Sequence, residues 1–200
     1  MEEYTPDMDQ MLFYLPLAGS TFKKTYYDET LGRAVSKFVP AENLVVPYET
    51  ADLETCPNIT QVVRMSLNDL RKRQIYGTYL DVEVIPAQKE MSSLDGEMDR
   101  IEGLEPNQID YDCTILEVHA DLDLEGYEEL DDEGEPTGIK VPYIVTISED
   151  NGQILSIRRN YQEDDELKKK IQYFTHFKFL PGFGFYGLGL IHTIGGLSRT

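Results

Sequence analysis

The stretch Phe177-Lys-Phe-Leu-Pro-Gly-Phe-Gly-Phe-Tyr-Gly-Leu-Gly-Leu-Ile-His-Thr-Ile-Gly-Gly-Leu-Ser-Arg-Thr200 sets how the rest of the chain is read. In it, Gly182, Gly184, Gly187 and Gly189 are interleaved with large apolar side chains. Glycine beside aromatic residues lets one backbone approach another while the rings fill the space between. Phe183, Gly184, Phe185, Tyr186, Gly187 and Gly189 are therefore expected to form a close-packed seam, within the chain or between adjoining subunits. Valine at Gly184 or Gly187 should then disrupt packing or subunit assembly, through added volume or through a backbone with φ > 0. Residues 181–200 read as a glycine-rich segment leading into a helix. That run reaches Thr200 without a helix-stop signal, which suggests a piece of a longer protein.

Working outward, the patterns predict an α+β fold of antiparallel hairpins with a few helices. Thr5-Pro6-Asp7 reads as a helix start, and Met8, Met11, Leu12 and Leu15 continue at helical spacing to about residue 18. Pro16 predicts a kink or an early end. Hairpins are expected over 22–39 and 141–160, the second turning at Glu149-Asp-Asn-Gly152. Leu44–Tyr48 reads as a short strand that Pro47 places at an edge or an end. Asp52–Cys56 suggests one helical turn, and Ile59–Met65 a strand. Ser66-Leu-Asn-Asp69 resembles a capping box and opens a helix over 66–75. Cys113–Leu122 and Ile171–Phe179 read as further strands.

Two hundred residues at 40% apolar content suit one domain, 1–200, with a real core. The net charge of −19 is uneven: residues 89–135 hold 18 acidic and two basic side chains. Solvated acidic insertions at 89–110 and 121–138, on an otherwise ordinary domain, fit that distribution. Such a surface repels nucleic acid over most of its area. Cys56 and Cys113 are too few and too dispersed for a metal framework and suit a reduced intracellular setting. Met1-Glu2-Glu3 does not resemble a secretory leader. The longest apolar run, Phe179–Ile194, is broken by Pro181 and glycines and falls short of the ~18–20 residues of a membrane span.

Three motifs invite sharper readings. Gly182-Phe-Gly184-Phe-Tyr-Gly187 matches the dinucleotide fingerprint literally, yet no Asp or Glu follows Glu166 to hold a ribose. Asp121-Leu-Asp123-Leu-Glu125-Gly126, with Asp132 at the twelfth position, mimics a calcium loop. It lacks the closing Glu and follows a strand, so a solvated loop is the stronger reading. His119, His176 and His192 have no neighbour at ligand spacing, and His119 and His176 read as structural histidines in strands. Arg71–Arg73, Arg158-Arg159 and Lys168–Lys170 are too small to argue for a phosphate surface. No catalytic, cofactor-binding or metal-binding residues emerge, and no cofactor is expected.

Several segments, taken in order, resemble the portal proteins of tailed bacteriophages, particularly of the short-tailed type. They are Met11–Asp28, then Gly32-Arg through Val39-Pro-Ala-Glu-Asn-Leu-Val-Val-Pro-Tyr48, then Asp52 to Lys72. Gly134-Glu-Pro-Thr-Gly-Ile-Lys-Val-Pro-Tyr-Ile-Val-Thr-Ile147 and Pro181–Gly196 complete the set. The resemblance covers most of the chain outside 89–110. It implies a non-enzymatic ring subunit, commonly one of twelve, at one capsid vertex of the virion, assembled in the host cytoplasm. Double-stranded DNA would pass through the ring. The packaging ATPase (terminase), the capsid and tail adaptor proteins would dock on it, and no membrane is implied. Two other readings remain: a membrane-active module using 177–196, and a nucleotide-binding enzyme using the glycine loop.

Overall fold

The computed structural model describes residues 4–28, 31–86, 112–130 and 133–195. In chain order the described elements are α1 (Tyr4–Ala18), β1 (Ser20–Asp28), β2 (Arg33–Pro40), a 3-10 turn (Ala41–Asn43), β3 (Leu44–Val45), β4 (Asn58–Ser66), α2 (Leu67–Ile75), β5 (Asp112–Leu122), β6 (Val141–Ser148), β7 (Ile154–Arg159), β8 (Phe174–Lys178) and α3 (Leu190–Ile194). They form a three-stranded sheet in the order β2-β1-β8 and a five-stranded sheet in the order β3-β4-β5-β6-β7. The fold is α+β with antiparallel sheets, as the sequence patterns predict.

The first hairpin pairs Thr21 with Pro40 through to Asp28 with Arg33. On the other side of β1, β8 adds an antiparallel partner, from Ser20↔Lys178 to Lys24↔Phe174. Because β2 is an edge strand, its outward N–H groups need other acceptors. The Asp7 carboxylate of α1 supplies one, accepting the Phe38 N–H at 2.7 Å. Thr5 lies inside the helix rather than capping it. Pro16 sits in the final turn, and the helix ends two residues later. There Gly19, at φ +84°, donates its N–H to the Leu15 carbonyl at 2.9 Å. That left-handed residue turns the chain directly from α1 into β1.

Two other local expectations change. The strand expected over 44–48 is only Leu44–Val45, at the edge of its sheet, and pairs with Gln61 and Thr60. Asp52–Cys56 is a bend instead of a helical turn. The Asp52 carboxylate takes both the N–H and the hydroxyl of Thr55, at 2.8 and 3.0 Å, which holds the chain in a side-chain-closed turn. At α2 the Ser66 hydroxyl oxygen accepts the Asp69 N–H at 3.2 Å, the first half of a capping box.

The chain divides into two compact units. The first comprises Met1–Gln61, Val118–Ile144 and Arg158–Thr200, with a core of Phe22, Val39, Leu44, Ile59, Phe174 and Phe185. The second comprises Val62–Glu117 and Val145–Ile157 and is built on Met65, Leu70, Tyr79, Cys113, Ile115 and Leu155. In the second unit the buried Gln74 carboxamide donates to the carbonyls of Leu80 and Val82, at 3.1 and 2.7 Å, fixing the extended segment after α2.

The acidic insertion expected over 89–110 lies wholly outside the described residues. The described part of its counterpart at 121–138 begins as the end of β5 and is mostly exposed, as its charge suggests, but it is held at three points. Thr137 donates its N–H to the Glu129 carbonyl, Glu129 forms an ion pair with Lys168, and the Tyr143 hydroxyl donates to the Tyr127 carbonyl.

Candidate functional site

The glycine-aromatic segment leaves β8 and folds back over the junction of α1 and β1, all within the first unit. Phe179 donates its N–H to the Gly19 carbonyl at 3.0 Å. Leu180 and Leu188 then exchange backbone hydrogen bonds at 2.8 and 3.3 Å, closing residues 181–187 into a loop.

Close backbone approach is the reason for three of its glycines. A methyl group on Gly182 would lie 2.5 Å from the Tyr186 carbonyl oxygen. On Gly187 it would lie 2.8 Å from the Leu180 carbonyl oxygen and collide with that of Gly19. On Gly189 it would meet the Leu17 carbonyl and lie 2.8 Å from the Gly19 nitrogen. The apposition is reciprocal, since a methyl on Gly19 would lie 2.5 Å from the Gly187 carbonyl oxygen.

Two of the sequence expectations need correcting. Within the chain, Gly184 takes no part in the close approach, because a side chain there meets nothing within 4 Å. A left-handed backbone is also not the constraint: none of Gly182, Gly184, Gly187 and Gly189 has positive φ, so space alone excludes side chains.

The aromatic residues separate by role. Phe185 is buried in the core, stacked on Phe22 at 5.8 Å between ring centroids. Tyr186 is partly exposed, and its hydroxyl donates to the Leu44 carbonyl at 3.3 Å. Phe183, at the tip, is fully exposed.

Two polar side chains lock the loop. Gly187 donates its N–H to Ser20 Oγ at 2.7 Å, and Ser20 Oγ lies 3.0 Å from His176 Nε2. The imidazole is stacked on Phe22 at 4.4 Å and tilted on Phe185 at 4.7 Å. Burial, with some repulsion from Lys178, lowers the His176 pKa to about 4. The ring is therefore neutral at neutral pH, so Nε2 can accept the serine proton while Ser20 Oγ accepts from Gly187. A Ser–His contact at this distance resembles half of a nucleophile–base pair. Ser20, however, is 1% exposed, and its oxygen is occupied by a backbone donor. Here the pair fastens the loop. No local signal could have revealed it, because Ser20 and His176 are 156 positions apart.

The fingerprint spacing does not assemble a dinucleotide cradle. β8 runs antiparallel to β1, and the N–H groups of Gly187 and Leu188 are already taken by Ser20 and Leu180. Asp121 of the calcium-like stretch lies in β5, so no entering helix precedes it. Among the described residues no three His, Cys, Asp or Glu side chains converge as metal ligands. His119 is buried against Tyr173 and Phe174, in keeping with a structural role.

Within the basic clusters, several cations are occupied inside the chain. Arg71 pairs with Asp81, Lys72 with Asp69 at 3.2 Å, and Lys168 with Glu129. The Lys170 ammonium donates to the carbonyls of Cys56 and Leu53, at 2.7 and 3.3 Å. An open groove of about 310 Å³ in the second unit is lined by Leu67, Leu70, Gln74, Val82 and the Arg71–Asp81 pair. Among the described residues, no helix is long and apolar enough to cross a membrane.

Neither a family model nor a curated protein sequence matches the chain.

Proposed function

We propose that this chain is a structural subunit of a bacteriophage portal ring, the conduit through which double-stranded DNA is packaged and ejected. The observation that carries this reading is the fastening of the 180–189 loop to Gly19 and Ser20. It holds the short apolar helix α3 against α1 through backbone apposition and one hydrogen-bond chain. A mechanical part needs such a joint. Load on the helix reaches the body through backbone contacts that cannot rotate away, whereas a catalytic loop needs open space beside its reactive groups. The order of the portal-like segments along the chain supports the same reading.

In this role the subunit has no catalytic chemistry of its own. Twelve copies form the ring at one vertex of the virion, assembled in the host cytoplasm. The packaging ATPase, capsid and tail adaptors bind its outer surfaces. An acidic chain suits a conduit, because Lys and Arg contacts to phosphate would retard sliding DNA.

The test is negative-stain electron microscopy and native mass spectrometry of the full chain, expressed with whatever its reading frame encodes beyond Thr200. Closed rings with a central channel are expected. A protein that remains monomeric at assembly concentrations would refute the reading.

A further inference from the structure

The surface shared by α1 and α3 is uncharged and apolar, and it is exposed. No Asp, Glu, Lys or Arg occurs from Gln10 to Phe22 or from Phe179 to Gly195, in a chain of net charge −19. α1 buries only Met11, and α3 buries no residue. The two helices touch, and Gly189, at the N-terminus of α3, abuts the Leu17 carbonyl. Leu12, Phe13, Leu17, Leu190, Ile191 and Ile194 are all exposed, Phe13 at 67% and Ile191 at 64%.

The size of this surface sets it apart from scattered exposed residues. Side chains of these types and exposures present on the order of 600 Å² together, at the upper limit for the largest apolar patch of a typical monomer. That is about three quarters of the ~800 Å² each partner contributes to a standard protein–protein interface.

We infer that this face is the seam on which a second copy of the chain docks, an inference that rests on the ring reading above. Charge favours that occupant. Two copies of a chain at −19 repel one another over most of their surfaces, and an uncharged face is where they approach at least Coulomb cost. The exposed Phe13 supplies a rigid aromatic anchor of the kind that dominates interface energetics.

The experiment compares the full chain with Phe13→Asp and Ile191→Asp by sedimentation velocity and native mass spectrometry. Tyr48→Asp, at another exposed aromatic residue, is the control. Both test residues are exposed, so thermal melts of the variants should match wild type. We expect concentration-dependent self-association that each test variant weakens roughly 30-fold or more, the loss typical of a hot-spot side chain, with the control unchanged.

Assemblies that persist unchanged in both variants would overturn the seam and leave the ring reading intact. Self-association that both variants abolish, but that never closes into rings, would uphold the seam and refute the ring reading. A wild type that stays monomeric and pellets with vesicles of 3:1 phosphatidylcholine and phosphatidylglycerol would overturn the proposal in favour of a membrane surface.

Discussion

Gly152 and Gly189 are the same type of residue, required for opposite reasons. Gly152 closes the β6–β7 hairpin at φ +69°, in a conformation side chains resist, yet with open space around it. Gly32 in the first hairpin is alike, at φ +62° with nothing within 4 Å. Gly189 adopts a backbone any residue could take, but a methyl group there would enter the Leu17 carbonyl. At the hairpin turns the constraint is torsional and local. At the loop joint it is volume, imposed by a segment some 170 positions away in sequence. Gly19 combines both, with φ +84° and the backbone of residues 187–189 against it. A turn glycine can therefore be replaced at a fixed modest cost, whereas a joint glycine cannot be replaced without moving a piece of the fold.

The largest expected effect separates these cases directly. Gly19→Ala adds a strained left-handed residue, at about 1 kcal/mol, to an overpacking cost of ~1–3 kcal/mol. Gly189→Ala carries the overpacking cost alone. Urea denaturation should rank wild type above Gly189→Ala and Gly189→Ala above Gly19→Ala. An alanine at position 189 that folds with wild-type stability would show that the loop lifts off α1 freely, and the joint would lose its mechanical meaning.

Next comes the polar lock. Ser20→Ala leaves the buried Gly187 N–H without an acceptor, which costs about 1–3 kcal/mol when a buried donor is orphaned. Ser20→Thr keeps the hydroxyl and should recover much of the loss. If alanine and threonine behave alike, the stability of the loop comes from backbone apposition and the hydrogen bond contributes little.

The same lock predicts a pH dependence. His176 is depressed from the ordinary 6.5 to about 4 in the folded chain, so the unfolded state binds more protons between those values. Its contribution to stability is complete above pH ~6.5 and declines as pH falls toward 4. Carboxylates titrate over part of that range, so the quantity to measure is the difference between wild type and His176→Gln. Glutamine still offers Ser20 an acceptor but carries no titrating proton. The pH profile of the urea midpoint should be steeper for wild type between pH 6.5 and 4.5. Parallel profiles would mean that His176 titrates as it does in the unfolded chain.

The elements whose causes lie within a few residues were legible in the sequence. Ser66 caps α2 through Asp69, three residues on, and Asp150-Asn151-Gly152 turns the second hairpin. Both follow from side chains that act on their immediate neighbours. Pro16 likewise marked the end of α1 to within two residues. The Asp52 turn was misread as helical, because an aspartate that accepts from Thr55 suits either a helix start or a side-chain-closed bend. What the sequence could not show is which distant segments meet. The glycines at 182–189 indicated close approach, but only the pairing of β8 with β1 brings Gly187 and Gly189 onto Gly19. Ser20 and His176 were ordinary strand residues until that pairing placed them side by side. Over 121–138 high charge marked a solvated loop, and the described residues there are mostly exposed, but charge could not show that Lys168 and backbone bonds anchor them.

The smallest expected effects test the comparison from its other end. Gly152→Ala should cost about 1 kcal/mol, the torsional penalty of a left-handed alanine without any clash. Gly184→Ala should cost almost nothing. Its φ is not positive, and a methyl group there meets no atom within 4 Å. Alanine at this position could even add a few tenths of a kcal/mol, by narrowing the conformations open to the unfolded chain. Gly184 differs from Gly187 only in its surroundings, so the pair is a clean contrast: same loop, same residue type, no torsional constraint at either. If Gly184→Ala destabilised the isolated subunit as much as Gly187→Ala does, volume would not be what distinguishes them. If it left the subunit intact but weakened self-association, the open space at Gly184 would be space that a second copy fills beside Phe183.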